Sequence, residues 1–346
     1  MRQTSGYALH KPGDELRPWR FERRDLRPDD VAVTVTYCGL CHSDVHAVDA
    51  ASDDGTPFVP GHEFVGIVAE VGPAVTRFAV GDAVAVGNIV DSCGVCEYCR
   101  AGQENYCGAF PTTTYGGIDR HDGTVTRGAY SREYVVREAF TYHLPDGLDP
   151  AAAAPLMCAG VTVWEPLRRW NVGPDMLVGV VGLGGLGHLA VKLAKALGAR
   201  VAVFTTSPAK AAAALELGAD EVVISTDASA MDAQKGRFAF ILDTASGAHD
   251  PNPYLRALGL DGTLCVLGIP GSWTVDPMSL LVGRKSFASA GSAGTRGTQE
   301  MLDFCAEHGV TADIEIVALA DVNEAMDRLR RNDVRYRFVL DMTEGA

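Results

Sequence analysis

The chain has 346 residues, of which 47% are hydrophobic and 21% are charged, and its formal net charge at pH 7 is −14. This length predicts two domains, and the acidic balance argues against nucleic acid or an anionic membrane as the main partner. The N-terminal sequence lacks the pattern of a secretory signal, and no apolar run is long enough to span a bilayer. We therefore expect a cytoplasmic protein with no nucleic-acid or membrane partner.

The first part of the chain predicts β-structure. Short runs rich in β-branched residues occur at 31–37, 65–72, 83–90 and 130–136, with Gly, Pro and Asp between them. An alanine-rich stretch with a more helical composition begins near Ala151. We expect a β-rich domain ahead of that stretch.

From Leu177 onward, predicted strands alternate with predicted helices. The segments LVGVVG, RVAVFT, FAFILDTA and GTLCVLGI are short apolar runs, typical of buried parallel strands. The first is followed by LGHLAVKLAKALG, which has Leu and Ala at helical spacing and ends at Gly198. The alternation predicts a doubly wound parallel sheet. One more helix is expected at 298–307, before a mixed tail.

Four of the nine cysteines lie within fifteen residues. Cys93, Cys96, Cys99 and Cys107 follow the spacing C-x2-C-x2-C-x7-C, which lets four thiolates surround one metal ion. Zinc accepts such a shell and is redox-inert, whereas an iron–sulfur cluster is the alternative occupant. Because four sulfurs leave no open position, the predicted site is structural.

A second set of metal-ligating residue types is dispersed along the chain. Cys41, His62 and Cys158 have the chemistry of three catalytic zinc ligands, and Glu63 follows the histidine. Their spacing alone does not distinguish ligands from a packed core thiol or a loop histidine. Three further cysteines are expected to be packed thiols: Cys38, Cys265 and Cys305.

A glycine-rich turn at 182–187 has the pattern G-x-G-x-x-G. It lies between an apolar strand and a helix, which is the context of a dinucleotide-binding turn. Its backbone N–H groups and the helix N-terminus would bind the pyrophosphate. The residues predicted to contact the cofactor here are Gly182, Gly184, Gly185, Leu186 and Gly187.

The residues after the second apolar strand predict which cofactor is used. A site for NAD has Asp or Glu about 20 residues beyond the turn, where it binds the ribose 2′-hydroxyl. This chain instead has Thr205, Thr206 and Ser207, followed by Lys210. Hydroxyls and an ammonium group donate hydrogen bonds to a 2′-phosphate, and no carboxylate repels it. We therefore predict NADP(H).

Several segments resemble a known family. GHEFVGIVAEVG at 61–72, CGLCHSDVH at 38–46 and APLMCAGVTVW at 154–164 resemble the zinc-ligand segments of the zinc-dependent medium-chain alcohol dehydrogenases. Together with TQEMLDFCAEHG and DVRYRFVLD near the C-terminus, they are similar to one branch of that family, which contains the cinnamyl alcohol dehydrogenases and bacterial NADP-dependent aldehyde reductases. The similarity runs nearly end to end.

The resemblance implies a catalytic zinc bound by Cys41, His62 and Cys158, the two thiolates and one imidazole that alcohol dehydrogenases use. Glu63 would lie beside the ion or act as an alternative ligand. Asp44 would accept a hydrogen bond from the other nitrogen of His62 and so orient the ring.

The resemblance also implies how a proton leaves the substrate. Ser43 would bind the substrate oxygen and His46 would pass the proton on to solvent, while His42 would contact the cofactor. Thr112 stands where plant relatives have a tryptophan, which favours a broad aldehyde substrate over bulky cinnamyl ones.

The implied fold class is α/β, with a GroES-like β-rich catalytic domain and a Rossmann doubly wound cofactor domain. The catalytic domain would comprise residues 1–153 and 290–346, and the cofactor domain residues 154–289. The implied enzyme holds two zinc ions per chain and, as a homodimer, transfers hydride between NADP(H) and a small primary alcohol or aldehyde. Two alternatives stay open, namely a polyol or secondary-alcohol dehydrogenase on this fold and a non-catalytic NADPH-binding zinc protein.

Overall fold

The structure is a computed structural model that describes residues 1–53, 55–268 and 271–343. Contacts between Cα atoms divide the chain into two compact units. The first is formed by Met1–Cys158 with Ala293–Ala346, and the second by Ala159–Ser292. We refer to them as the first and second units.

The strands, in chain order, are β1 (Arg2–Ala8), β2 (Arg17–Arg23), β3 (Asp30–Leu40), β4 (Phe64–Val71), β5 (Ala83–Val86), β6 (Ile89–Asp91), β7 (Thr112–Thr113), β8 (Glu133–Arg137), β9 (Tyr142–His143), β10 (Leu177–Val181), β11 (Arg200–Thr205), β12 (Glu221–Ile224), β13 (Phe238–Asp243), β14 (Leu258–Val266), β15 (Ser286–Ser289), β16 (Ile314–Ala318) and β17 (Arg337–Asp341).

The α-helices are α1 (His42–Asp49), α2 (Glu97–Arg100), α3 (Pro150–Ala153), α4 (Ala159–Arg169), α5 (Gly187–Ala196), α6 (Ala211–Glu216), α7 (Ala228–Asp232), α8 (Asn252–Ala257), α9 (Pro277–Leu281), α10 (Thr295–His308) and α11 (Val322–Arg330). Short 3-10 helices occur at Glu104–Tyr106, Glu138–Phe140, Ala154–Met157, Pro208–Lys210 and Leu319–Asp321.

The first unit is built on a mainly antiparallel sheet. Its strands lie in the order β16-β17-β3-β4-β5-β9, and β8 also pairs with β3. Val31, Val33 and Val35 alternate along β3 and pack into a core that includes Phe64 and Phe338. Burial of this apolar set stabilises the unit by about 25 cal/mol per Å² removed from water. The C-terminal strand β17 thereby lies beside β3, with Leu340 opposite Cys38.

The run at 83–90 forms two strands where the sequence predicts one. The strand is interrupted between β5 and β6, near Gly87. An added Cβ on Gly87 would lie 3.0 Å from the carbonyl oxygen of Met157. This close approach favours glycine at the interruption.

The second unit contains the predicted doubly wound parallel sheet, which is confirmed. Its strands lie in the order β12-β11-β10-β13-β14-β15, and every pair is parallel. Counted within the unit this is the order 3-2-1-4-5-6, which reverses between β10 and β13. Ligands bind such sheets at the carboxyl ends of the strands beside the reversal.

Helix α5 follows the glycine turn and packs on the parallel sheet. Leu189, Ala190, Leu193 and Ala194 are fully buried and lie on one face at helical spacing. The helix ends at Ala196, and Gly198, just beyond its C-terminal cap, has a positive φ of 92°, the left-handed conformation that glycine adopts without strain. The apolar stripe and the glycine after the helix explain why the sequence predicts the helix.

In the part of the chain that the structure describes, no helix is both long and apolar enough to cross a membrane.

Candidate functional site

The first candidate metal cluster is built at the N-terminus of α1. Cys41 caps this helix, and its backbone N–H donates to Asp44 Oδ2 at 2.9 Å. Asp44 Oδ1 accepts from the backbone N–H of Gly61 at 3.0 Å and from His62 Nδ1 at 2.9 Å. Because Asp44 is fully buried and binds His62 through Nδ1, the other ring nitrogen, Nε2, is left to ligate a metal ion.

The structure brings the three predicted zinc ligands and Glu63 together. One ligand atom from each of Cys41, His62, Glu63 and Cys158 lies within 4.8 Å of the others. The Cys41 and Cys158 sulfurs are 3.8 Å apart, and His62 Nε2 is 3.2 Å from Cys158 Sγ. Two sulfurs bound tetrahedrally to zinc at about 2.3 Å are about 3.8 Å apart, so the sulfur pair fits one zinc ion.

Glu63 is held by an arginine that the sequence analysis did not identify. Its Oε1 accepts a hydrogen bond from Arg337 Nη2, and both side chains are buried. Glu63 Oε2 and Arg337 Nε have no hydrogen-bond partner among the described residues. Burial raises the pKa of Glu63 to about 8, although Arg337 opposes this effect. A Cβ at Gly39 would overlap the Glu63 carboxylate, so that position requires glycine.

The side chains of this cluster differ in the direction of their pKa shifts. The pKa of Cys41 lies well below its usual range, because Cys158 donates a hydrogen bond to its sulfur and Arg337 and His62 add positive charge. The same hydrogen bond, together with burial, raises the pKa of Cys158 well above its usual range. Burial opposes a charge on His62, but Asp44 outweighs it and raises the pKa of His62. A metal ion that binds here must displace protons, so its affinity increases with pH.

The predicted proton-relay residues lie on the same helix. Ser43 Oγ is 3.6 Å from Cys41 Sγ, which places the hydroxyl beside the cluster. His42 and His46 are exposed, with ring centroids 6.3 Å apart. A hydroxyl beside the metal ligands and an exposed imidazole one turn away are suited to proton exchange with solvent.

The aromatic residue beside the cluster is Tyr115. Its ring meets the His62 ring edge-to-face at 5.5 Å, and Phe58 packs on it at 5.3 Å. Thr112, in contrast, is buried in β7 and its hydroxyl donates to the carbonyl of Ile118 at 3.1 Å. No spacing pattern in the sequence identifies Tyr115 as a neighbour of His62.

The structure brings the four clustered cysteines around one point. Cys93, Cys96, Cys99 and Cys107 place their sulfurs within 4.8 Å of one another. Backbone N–H groups of Cys99 and Gly108 bond the Cys96 sulfur and lower its pKa to about 6, which favours the thiolate that binds metal. The donor set of four thiolates fits a structural zinc ion.

The glycine turn in the second unit has the geometry of a phosphate-binding loop. Gly182 has a positive φ of 88°, which the tight turn after β10 requires. A Cβ on Gly187 would overlap the carbonyl of Gly182, so helix and strand pack closely there. A Cβ on Gly184 would meet no atom within 4 Å, which leaves room for a ligand. Gly185 and Leu186 complete the turn before α5, which has no side-chain cap at its N-terminus.

The predicted 2′-phosphate ligands lie beside that turn. Lys210 Nζ donates to the carbonyl of Leu183 in the turn at 3.0 Å. Thr205 ends β11 and is buried, and its Oγ1 accepts from the backbone N–H of Ser207 at 3.2 Å. Thr206 and Lys210 are exposed. This arrangement presents hydroxyls and an ammonium group near the turn.

Comparisons with known proteins agree with this architecture. Residues 27–146 match the family model of the alcohol dehydrogenase GroES-like domain, and residues 185–307 match that of zinc-binding dehydrogenases. These matches confirm the predicted GroES-like and Rossmann-type domains.

Full-length relatives lead to the same branch. The chain is 47% identical to NADP-dependent alcohol dehydrogenase C 1 of Mycolicibacterium smegmatis, over 99% of this chain and 98% of the relative. It is 45% identical to the aldehyde reductase YahK of Escherichia coli, with the same coverage. A solved cinnamyl alcohol dehydrogenase from Sorghum bicolor superposes with a TM-score of 0.95 at 42% identity, covering 100% of this chain and 99% of that one. The chain therefore belongs to the zinc-dependent medium-chain alcohol dehydrogenases, in the branch of the cinnamyl alcohol dehydrogenases and bacterial aldehyde reductases.

Proposed function

We propose that the chain is a zinc enzyme that interconverts primary alcohols and aldehydes with NADP(H), working mainly as an aldehyde reductase. The observation that carries this is the convergence of Cys41, His62 and Cys158 on one buried point, because three protein ligands leave zinc a position for substrate. The NADP-dependent alcohol dehydrogenase and the aldehyde reductase among the full-length relatives support the cofactor and the substrate class.

Each group has a separate part in the chemistry. Zinc, when bound, is a Lewis acid that polarises the substrate oxygen, and NADP(H) carries the hydride. Asp44 keeps the proton of His62 on Nδ1, so that Nε2 remains a ligand. Ser43 exchanges a proton with the substrate oxygen, and His46, exposed on the same helix, exchanges it with solvent.

Domain and cofactor assignments follow from the same residues. We assign residues 1–153 with 290–346 as the catalytic domain and residues 154–289 as the cofactor domain. Thr206, Ser207 and Lys210 are assigned to the 2′-phosphate, and the assignment of His42 as a cofactor contact stays a prediction.

The first test compares NADPH and NADH as reductants of benzaldehyde. Fast oxidation of NADPH with weak oxidation of NADH is the expected result. Equal or faster rates with NADH would contradict the cofactor assignment and leave the zinc chemistry in place. No turnover with either cofactor would contradict the aldehyde assignment, and polyols and ketones are then the substrates to assay.

Replacing Lys210 with methionine tests the phosphate assignment directly. We expect KM for NADPH to rise about 10- to 100-fold, because a hydrogen bond to a charged group contributes roughly 1.5–3 kcal/mol, while KM for NADH changes little. Lys235→Met is the control, since Lys235 is an exposed lysine elsewhere in the second unit. An equal rise in both KM values would show that Lys210 only holds the glycine turn through Leu183.

Replacing Asp44 with asparagine should weaken zinc binding at the catalytic site about 10- to 100-fold. The cause is the loss of the charged acceptor that fixes the His62 ring. Zinc affinity is measured by competition with a chromogenic chelator. Asp30→Asn is the matched control, because Asp30 is also fully buried and pairs with an arginine outside the cluster. Unchanged zinc affinity in D44N would contradict the role given to Asp44.

We further propose that the protein is a cytoplasmic homodimer joined through the second units. None of the nine cysteines forms a disulfide, as expected in a reducing compartment. Strand β15 is an edge of the parallel sheet, and exposed apolar side chains surround it. They are Leu260, Met278, Leu281, Val282 and Phe287. A second copy fits this surface, because an edge strand can pair with itself across a two-fold axis.

Replacing Leu281, which is 70% exposed, with arginine should convert the dimer to a monomer. The mass is measured by light scattering after gel filtration. Val80→Arg is the control, since Val80 is similarly exposed at 64% and lies in the first unit. A monomeric parent protein, or a dimeric L281R, would contradict this interface.

A further inference from the structure

The β13 loop, defined as residues 244–248, packs directly against the glycine turn. A Cβ on Gly182 would lie 3.3 Å from Thr244 Oγ1, and a Cβ on Gly187 would lie 3.2 Å from the same oxygen. On its other side the loop meets Gly268, where an added Cβ would overlap the loop backbone. The loop therefore lies between the glycine turn and Gly268, at the carboxyl ends of β10 and β13, where the strand order reverses.

An ion pair closes this loop. His249 Nε2 donates to Asp243 Oδ2 at 2.7 Å, and His249 Nδ1 donates to the carbonyl of Gly247 at 2.8 Å. Asp243 is fully buried at the end of β13, and its Oδ1 accepts from the backbone N–H of Ala245 at 3.0 Å. Because both ring nitrogens face acceptors, this geometry requires the doubly protonated, positively charged imidazole.

The surroundings of His249 favour that charged form. Tyr254 of α8 and Trp273 meet its ring edge-to-face at 5.8 Å and 5.1 Å. The titratable groups that face the ring are Asp243 on β13, Asp250 in the adjoining chain and the Tyr254 phenol. The hydrogen bond that His249 donates to Asp243 raises the pKa of His249 above its ordinary value, although burial opposes it. The ion pair thus forms below that raised pKa and is lost as the pH rises through it.

We propose that His249 is a positioning residue for NADP(H), which acts by holding the β13 loop against the glycine turn through Asp243. The inference rests on the proposed use of NADP(H) by this chain. The ion pair joins the two ends of the loop, and the loop carries Thr244, whose hydroxyl lies beside both Gly182 and Gly187. Without the ion pair, the β13 loop is less ordered in the free protein. Binding of NADP(H) then has to order the loop, and the cost in entropy reduces the affinity for NADP(H).

The test is a fluorescence titration of NADPH into the zinc-loaded protein and its variants. His249→Ala should raise Kd about tenfold or more, since it removes a hydrogen bond between charged groups. His249→Gln should recover most of the affinity, because its side-chain amide can donate to Asp243. His121→Ala is the matched control, as His121 lies near Asp91 at 3.9 Å in the first unit.

Asp243→Asn removes the negative charge of the Asp243 side chain but keeps its shape. The amide can donate to a neutral His249 in the same place, so the hydrogen bond remains while the ion pair is lost. The parent protein should bind NADPH more weakly as the pH rises through the pKa of His249, and D243N should lack this change. The comparison cancels the titration of the cofactor phosphate, which both proteins experience alike.

Each outcome decides a different claim. A parent protein that does not bind NADPH overturns the proposed function and this inference together. A parent protein that binds NADPH, with an equal Kd in H249A, overturns the inference alone, even if H249A melts at a lower temperature. If H249A does not fold, H249Q and the pH dependence of the parent protein and D243N decide the matter. Parallel pH dependence in the parent protein and D243N then overturns the inference.

Discussion

Replacing Cys158 with alanine is expected to reduce the zinc content from about two to about one ion per chain. Turnover should fall at least ~1000-fold, because Lewis-acid polarisation contributes several kcal/mol to the transition state. Cys158 is one of three ligands within 4.8 Å of one another, and the remaining cysteine and histidine are too few to hold zinc tightly. The measurement is zinc analysis of purified protein together with the rate of NADPH oxidation.

Cys305→Ala is the matched control for that experiment. Cys305 is, like Cys158, a cysteine of the first unit, and it is fully buried, but its sulfur contacts Met301 and lies in neither cluster. C305A should keep about two zinc ions and near-normal turnover. A C158A protein that retained both zinc ions and its activity would show that Cys158 is not a ligand.

Replacing Cys99 with serine should remove the other metal ion and destabilise the first unit. Cys99 is buried, and its sulfur lies 3.5 Å from Cys96 Sγ and 3.9 Å from Cys93 Sγ. A loss of several kcal/mol corresponds to a fall in Tm of about 10 °C for a unit of this size. Tm is measured by calorimetry on the zinc-loaded protein.

The control for C99S is Tyr98→Ala in the same short helix. Tyr98 is exposed, so its removal should leave zinc content and Tm nearly unchanged. A C99S protein with unchanged Tm and two zinc ions would contradict the structural assignment. Iron and visible absorption in the parent protein, with one zinc ion, would instead support the iron–sulfur alternative.

Local patterns made much of this molecule predictable from its sequence. The parallel sheet follows from apolar runs that alternate with helical spacing, and the glycine turn follows from three glycines between a strand and a helix. The cluster of Cys93 to Cys107 is local as well, because its ligands lie within one short loop. In each case the residues that predict the feature lie close together in the sequence.

Contacts between distant segments were not predictable in this way. Arg337 reaches Glu63 across 274 positions, and it does so because β17 pairs with β3 in a register that places Phe338 opposite Leu40. Sheet register over such a separation depends on the whole core. The contacts of Tyr115 with His62 and of His249 with Asp243 likewise join loops whose paths no periodicity specifies.

The position of β17 in the sheet has a consequence for biosynthesis. This strand lies between β16 and β3, yet it is made after the second unit is complete. During translation the second unit and the four-cysteine loop can therefore form early, while β3 lacks one neighbour and Glu63 lacks its cation. The sheet of the first unit and the buried ion pair of Glu63 with Arg337 can therefore be completed only after Arg337 has left the ribosome.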